Sequence, residues 1–172
     1  MINWAHFDDI SVAKFGTYFE NFAAWNMEMI NASDDKGKLI ITPMAPHDGR
    51  PMSHHRMDPG VFMVSARSSI VSYYIVPGEG ESTFIGSSVG NEGHAAAAHA
   101  AFKAATGNKS DGDVLGSMIM NYISVKASGN GVDIVHINIS KPNGSIPGMI
   151  VSKMTAKQAE QMGKLVAFLK TK

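Results

Sequence analysis

Apolar residues in the last part of the chain recur with the period of an α-helix. They occupy positions Ile146, Ile150, Met154, Gln158/Ala159, Met162, Leu165/Val166 and Leu169. Residues at this spacing share one face of an amphipathic helix, and lysines take most of the other face. Pro142, Asn143 and Gly144 form a turn signal before it, Ser145 suits the N-cap, and Pro147 suits the first turn. The pattern predicts a long C-terminal helix that packs on an apolar surface.

A shorter helix is predicted near the start of the chain. Val12, Phe15 and Phe19 recur at helical spacing after Ser11, which suits the N-cap, so residues 12–21 should be helical. Alternation in residues 1–9 allows a strand before it.

Short β-type runs separated by turn residues fill most of the remaining chain. Such runs predict antiparallel hairpins. The predicted strand pairs are residues 27–32 with 38–44, residues 70–76 with 82–88, and residues 114–126 with 132–140. In the last strand, Val132, Ile134, His136 and Asn138 share one face. Residues 91–112 break the β pattern, and their alanine-rich part should be helical.

Composition limits the class of protein. The 172 residues are 44% hydrophobic and 17% charged, which fits one globular domain. Fifteen basic side chains balance 15 acidic ones, so the basic footprint of nucleic-acid binding is missing. The lack of cysteine excludes disulfides and thiolate chemistry and fits a reducing compartment. We find neither a signal peptide nor an apolar run long enough to span a bilayer, and we expect a cytoplasmic protein.

Residues 45–60 contain imidazole and carboxylate side chains of the kind that bind metals, with His54 next to His55. Neighbouring residues of a strand point to opposite faces, so these two histidines cannot easily share a metal. No phosphate-binding glycine motif occurs in the sequence. We therefore expect no metal, no cofactor and no catalytic constellation.

The sequence of the C-terminal segment resembles that of START domains, the lipid transfer domains related to the steroidogenic acute regulatory protein. Asn-Gly-Ser-Ile-Pro at residues 143–147 stands between a strand and a long terminal helix, as in that family. Val-Ser-Ala-Arg at residues 64–67 is similar to the family's Val-Ser-Pro-Arg segment, and Trp25-Asn26 to the pair that follows its first helix. The resemblance extends from about Val12 to the end of the chain.

The resemblance implies an α+β helix-grip fold, in which a curved antiparallel sheet wraps the C-terminal helix and leaves a tunnel. Residues 1–172 would then be a single START-like domain without the additional N-terminal helix that family members usually carry. In the family, a loop covers the tunnel mouth after the strand that corresponds to residues 82–88. Here the helical segment in residues 91–112 takes its place, as a mobile lid or as a packed helix.

The resemblance further implies a carrier that binds a lipid or another hydrophobic molecule and meets a membrane surface transiently. The tunnel walls would come from Met149, Ile150, Met154 and Met162 of the helix and from Tyr73, Met118, Met120 and Tyr122 of the strands. Arg67, His136 and Asn138 are the candidates for polar contacts. Twelve methionines suit a surface that adapts to apolar ligands, although a methionine-rich core without a ligand explains them equally well.

Two other functions are compatible with the same scaffold. One is an enzyme similar to the cyclases and hydratases of the wider superfamily, with His136 and Tyr122 as acid and base. The other is a regulatory module that uses the fold as an interaction surface. The family often has arginine where Tyr73 stands, so no member's ligand carries over to this chain. The sequence gives no oligomeric state.

Overall fold

The computed structural model of the protein describes residues 1–33, 37–60, 64–144 and 148–172. Within the last helix, the side chains of residues 149–151 and 153–159 lie outside this description. The strands are β1 (Ile2–Asp8), β2 (Leu39–His47), β3 (Arg50–Met57), β4 (Arg67–Gly78), β5 (Glu81–Ser87), β6 (Val114–Leu115), β7 (Ser117–Ser128) and β8 (Gly131–Lys141). The α-helices are α1 (Val12–Glu20), α2 (Phe22–Asn31), α3 (Ala95–Thr106) and α4 (Gly148–Lys170).

The strands form one open sheet in the order β1-β8-β7-β5-β4-β3-β2. Every neighbouring pair in this order is antiparallel, and the short β6 lies parallel to β4. The predicted α+β class and its antiparallel sheet are therefore confirmed.

One face of the sheet, here called the inner face, carries the main hydrophobic core. It is covered by α1, by α2 and by the C-terminal half of α4. Phe15 and Phe19 of α1, Phe84 of β5 and Leu169 of α4 are fully buried there. The opposite, outer face is covered at one end by α3, through a cluster of Met52, Ile70 and Ala98.

The first predicted helix is confirmed within one residue. Ser11 caps it, because its side chain accepts a 3.4 Å hydrogen bond from the backbone N–H of Lys14. The ammonium group of Lys14 donates a 3.0 Å hydrogen bond to the carbonyl oxygen of Leu169 near the end of α4. A cation suits that position because the carbonyl groups of a helix end are unpaired and partly negative.

The strand predicted for residues 27–32 is wrong, because most of that segment belongs to α2. The buried positions of this helix are Phe22, Ala23, Asn26 and Ile30, and three of them are spaced four apart. Asn26 donates 2.7 Å hydrogen bonds to the Tyr18 hydroxyl and to the Phe22 carbonyl oxygen. A short apolar run does not distinguish a strand from a buried helix by its periodicity alone.

The alanine-rich helix is confirmed as α3, and Gly107 ends it in the left-handed conformation with φ 74°. Ala98 and Phe102 of α3 are each 1% exposed. Their packing against the outer face places α3 on the side of the sheet opposite α4. The described part of this segment is thus a packed helix, as in the second of the two interpretations.

Candidate ligand site beneath the long helix

The hydrophobic core ends abruptly along the inner face of β8. Val132 and Ile134 are fully buried in it, and the next two inner positions are His136 and Asn138. His136 lies opposite Asn3 of β1, and Asn138 lies opposite Asn121 of β7. Directly opposite residues place their side chains on the same face of a sheet. Asn3, Asn121, His136 and Asn138 therefore form one polar cluster where the apolar core stops.

A hydrogen bond inside the polar cluster fixes the chemistry of its imidazole. The Nε2 atom of His136 lies 2.9 Å from Oδ1 of Asn121. Because an amide oxygen only accepts, Nε2 must donate, which leaves Nδ1 as an acceptor in the neutral ring. Burial lowers the pKa of His136, and the nearby terminal ammonium group of Met1 adds to the effect, so the ring is neutral at pH 7.

Three atoms of the polar cluster are buried without a hydrogen-bond partner among the described residues. They are Nδ2 of Asn3, Nδ1 of His136 and Oδ1 of Asn138. An unsatisfied buried polar group costs about 1–3 kcal/mol, so native proteins contain few of them. One donor and two acceptors on neighbouring side chains of one face are thus left without a partner among the described residues.

The long helix crosses this region. At its C-terminal end, Met162, Leu165, Val166 and Leu169 are buried in the core. Its 23 residues span about 35 Å, and its other end follows closely on the end of β8. The helix is therefore long enough to reach from the apolar core past the rows of the polar cluster.

Structures of START domains align with nearly the whole chain. Human STARD10 has a TM-score of 0.67 at 14% identity, over 98% of this chain and 62% of that one. A STAR-related lipid transfer protein from Xanthomonas axonopodis has a TM-score of 0.61 at 14% identity, over 99% and 83%. The chain has the START fold. Human StAR-related lipid transfer protein 5 gives 0.59 at 10% identity, over 99% and 73%. No family model and no curated protein matches the sequence.

Several predicted wall residues do share the inner face of this START fold. Asn138 of β8 pairs with Asn121 of β7, which pairs with Gly86 of β5. Gly86 in turn pairs with Tyr73 of β4, so Tyr73 lies in the same row on the inner face. Its ring stacks on Phe84 at 5.3 Å between centroids, and burial raises its pKa. The ring is thus part of the core at the border of the polar cluster.

Two methionines of the predicted walls lie on the same face but in different surroundings. Met118, which pairs with Ser140 beyond an irregularity in β7, lies on the side of Asn138. Met162 is buried in the main core. The side chains of Met149, Ile150 and Met154 lie outside the described residues, as do Ser145 and Pro147.

Met120 and Tyr122 are not brought together with the polar cluster. Met120 pairs with Ile139 and Tyr122 pairs with Ile137, and these partners lie on the outer face of β8. The sequence shows the alternation within each strand but not the register between them. Once His136 faces inward opposite Ile123, the alternation turns Tyr122 to the other side of the sheet.

Arg67 is buried but lies away from the polar cluster. It begins β4, six residues before Tyr73, which corresponds to about 20 Å along a strand. Its guanidinium group donates to the carbonyl oxygen of Ser65 and, at 3.4 Å, to that of Asn143, while Nε has no partner among the described residues. Arg67 therefore holds the turn that leads toward α4.

Asn3 and Asn121 were not predicted as site residues. Asn121 is visible in the sequence as a polar break between apolar runs, and Asn3 as a polar position of an alternating strand. Each signal is typical of an ordinary strand. Only the pairing of β1, β8 and β7 shows that Asn3 and Asn121 lie in the same cluster.

A second group of buried polar residues lies under α3 on the outer face. His54 is fully buried, and neither ring nitrogen has a partner among the described residues. Thr42, directly opposite, also has an unpartnered hydroxyl group. His55 faces inward and stacks on Phe22, so the two histidines do point to opposite faces. Within the described ranges, no three potential ligand residues are placed to bind a metal ion.

A groove lies elsewhere on the molecule, at the C-terminal end of α4. It has a volume of about 590 Å³ and is lined by Asp9, Ile10, Ser11, Lys14, Asn130 and Lys170. This lining is mostly polar and open to solvent, unlike a site for an apolar molecule. No helix in the described part of the chain is long and apolar enough to cross a membrane.

Proposed function

We propose that the protein binds a lipid or another hydrophobic molecule between α4 and the inner face of the sheet. The apolar part of the ligand would lie under α4, and its polar end would meet the polar cluster. The observation that supports this most directly is the set of three unpartnered buried atoms on Asn3, His136 and Asn138. A bound polar group would satisfy them at the point where the apolar core ends.

Burial of an apolar chain supplies enough free energy for such binding. Each methylene group moved out of water contributes about 0.8 kcal/mol, so a twelve-carbon chain contributes on the order of 10 kcal/mol before ordering costs. A few well-placed polar groups then suffice to orient the ligand. The function needs no catalytic step, and we propose a carrier rather than an enzyme.

The structural neighbours agree with this proposal. Two of the aligned structures are named lipid transfer proteins. By analogy, we propose that this protein exchanges its ligand during transient contact with a membrane surface. The analogy rests on the fold, and one fold hosts many functions, so the ligand must be sought by experiment.

Native mass spectrometry of the purified protein, followed by organic extraction, tests the proposal. We expect a stoichiometric adduct that solvent releases as a hydrophobic small molecule. Uptake of labelled fatty acid, sterol and phospholipid from vesicles provides a second measurement. Absence of an adduct together with absence of uptake would exclude the carrier function.

A further inference from the structure

We infer that the polar end of the ligand is uncharged and carries a hydroxyl group, an inference that depends on the proposed function. The polar cluster offers atoms of both kinds that no described residue pairs: the donor Nδ2 of Asn3 and the acceptors Nδ1 of His136 and Oδ1 of Asn138. A hydroxyl group donates one hydrogen bond and accepts up to two. It can therefore satisfy the donor and one acceptor at the same time.

An anionic end group matches these atoms poorly. A carboxylate or phosphate oxygen only accepts hydrogen bonds, so it would find one donor and face two lone pairs. Placing a charge in a buried site is costly unless an opposite charge or several donors compensate it. A carboxylic acid or phosphate ester should therefore bind more weakly than the corresponding alcohol.

The charges around the polar cluster support this inference. Its four side chains are three amides and one imidazole, whose pKa is lowered by burial. The charged group that acts on His136 is the terminal ammonium of Met1, which donates a 2.8 Å hydrogen bond to the carbonyl oxygen of Asn138. That ammonium is already paired, and it sits at the backbone of β8 rather than among the side chains.

Arg67 offers the alternative, a site for an anionic end group. Its guanidinium group lies on the order of 20 Å along β4 from the row of Tyr73 and is engaged by two backbone carbonyl oxygens. A ligand anchored there would leave the polar cluster unsatisfied. The two arrangements therefore predict opposite preferences between an alcohol and its charged counterpart.

Two matched ligand pairs distinguish the arrangements. Phosphatidylcholine vesicles at pH 8 carry a trace of one radiolabelled lipid. The first pair of lipids is oleyl alcohol and oleic acid, and the second is cholesterol and cholesterol sulfate. The full chain is incubated with the vesicles, separated by gel filtration, and its bound label is counted. We expect at least one alcohol to be extracted tenfold or more in excess of its charged partner, and neither charged ligand to be preferred.

The outcomes separate the two proposals. Preference for a charged member, equal extraction within both pairs, or extraction of phosphatidylcholine alone would overturn the hydroxyl inference and leave lipid binding intact. Failure to extract any of the five lipids would overturn the proposed function, and the inference with it.

Variants identify the residues responsible. Asn138→Leu removes an acceptor, and Asn3→Ala removes the donor at the edge of the sheet, so each should reduce the alcohol preference to about twofold or less. Thr42→Val is the matched control, because Thr42 is also buried and unpartnered but lies on the outer face. Arg67→Met should keep the preference. A full preference in both cluster variants, or its loss in Arg67→Met, would contradict the assignment.

Discussion

The imidazole of His136 donates a 2.9 Å hydrogen bond from Nε2 to Oδ1 of Asn121, across strands β8 and β7. This bond sets the tautomer, so the second nitrogen of the ring is left as a buried acceptor. Asn3 and Asn138 of the same polar cluster also have buried atoms that no described residue pairs. A single inter-strand bond thus determines which hydrogen bond the other nitrogen of the ring can make.

Asn121→Leu should destabilise the protein. The substitution leaves Nε2–H of His136 buried without a partner, at a cost of about 1–3 kcal/mol. Removing both partners should be nearly neutral, so His136→Phe in the Asn121→Leu background should recover most of the lost stability. Urea unfolding of both single variants and the double variant measures the coupling. Additive effects would mean that the hydrogen bond contributes little.

Asn138→Leu should stabilise the protein without ligand by about 1 kcal/mol, because it replaces an unsatisfied buried amide oxygen with an apolar group. The same variant should bind the alcohol ligands more weakly. Such opposite changes are typical of residues kept for function at a cost in stability. Urea unfolding after solvent extraction of bound lipid checks the first effect. Thr42→Val should show the gain in stability alone.

Gly131→Ala should displace β1 from the sheet. A methyl group at this position would collide with the backbone of Phe7 and Asp8, which pair with the start of β8. Backbone atoms cannot rotate away, so we expect a loss of about 1–3 kcal/mol. Because β1 carries Asn3, ligand binding should also weaken.

Gly163→Ala is the matched control for this substitution. Gly163 lies inside α4, and an added methyl group would meet nothing within 4 Å. Alanine favours a helix interior by about 1 kcal/mol over glycine, so stability should rise with binding unchanged. Thermal unfolding and lipid extraction of both variants test the pair, and equal stability of the two would contradict the contact at Gly131.

Local patterns predicted most of the elements of this fold. Ser11 and the apolar spacing of α1, and the alanine-rich run of α3, act through neighbouring residues only, and the structure has both helices as expected. The wrong strand prediction for residues 27–32, which belong mostly to α2, also has a physical reason. Met27 and Met29 are partly buried beside Phe22, Asn26 and Ile30, so a broad apolar helix face looks like a continuous run.

The candidate site could be predicted only in part. Alternation along β8 gave the common face of His136 and Asn138, which the register confirms. The positions of Asn3, Asn121 and Tyr122 depend on which residue of a neighbouring strand lies opposite. A shift of one residue moves every side chain of a strand to the other face. The register between strands depends on contacts between distant segments, so local sequence patterns do not predict it.

Stability should fall as the pH drops below neutral, because His54 is buried in a setting that disfavours its charged form. Burial, then repulsion by His99 and by Arg56, lower its pKa from 6.5 to about 4, against the partial attraction of Asp113. The unfolded chain therefore binds this proton first. The stability contributed by the neutral ring is complete above about pH 6.5 and is lost progressively until about pH 4. His55, whose pKa burial lowers to about 3, acts in the same direction.

Urea unfolding between pH 7.5 and pH 5 measures this loss. One such histidine gives a slope of up to about 1.4 kcal/mol per pH unit, and His54→Leu should remove that contribution. The His54→Leu variant should keep a smaller slope of the same sign, because burial also lowers the pKa values of His55 and His136. His6 contributes a slope in the opposite direction, because Asp133 and Asp8 raise its pKa at the surface. An identical slope in His54→Leu and the parent protein would mean that His54 pairs with water or rotates outward when it is charged.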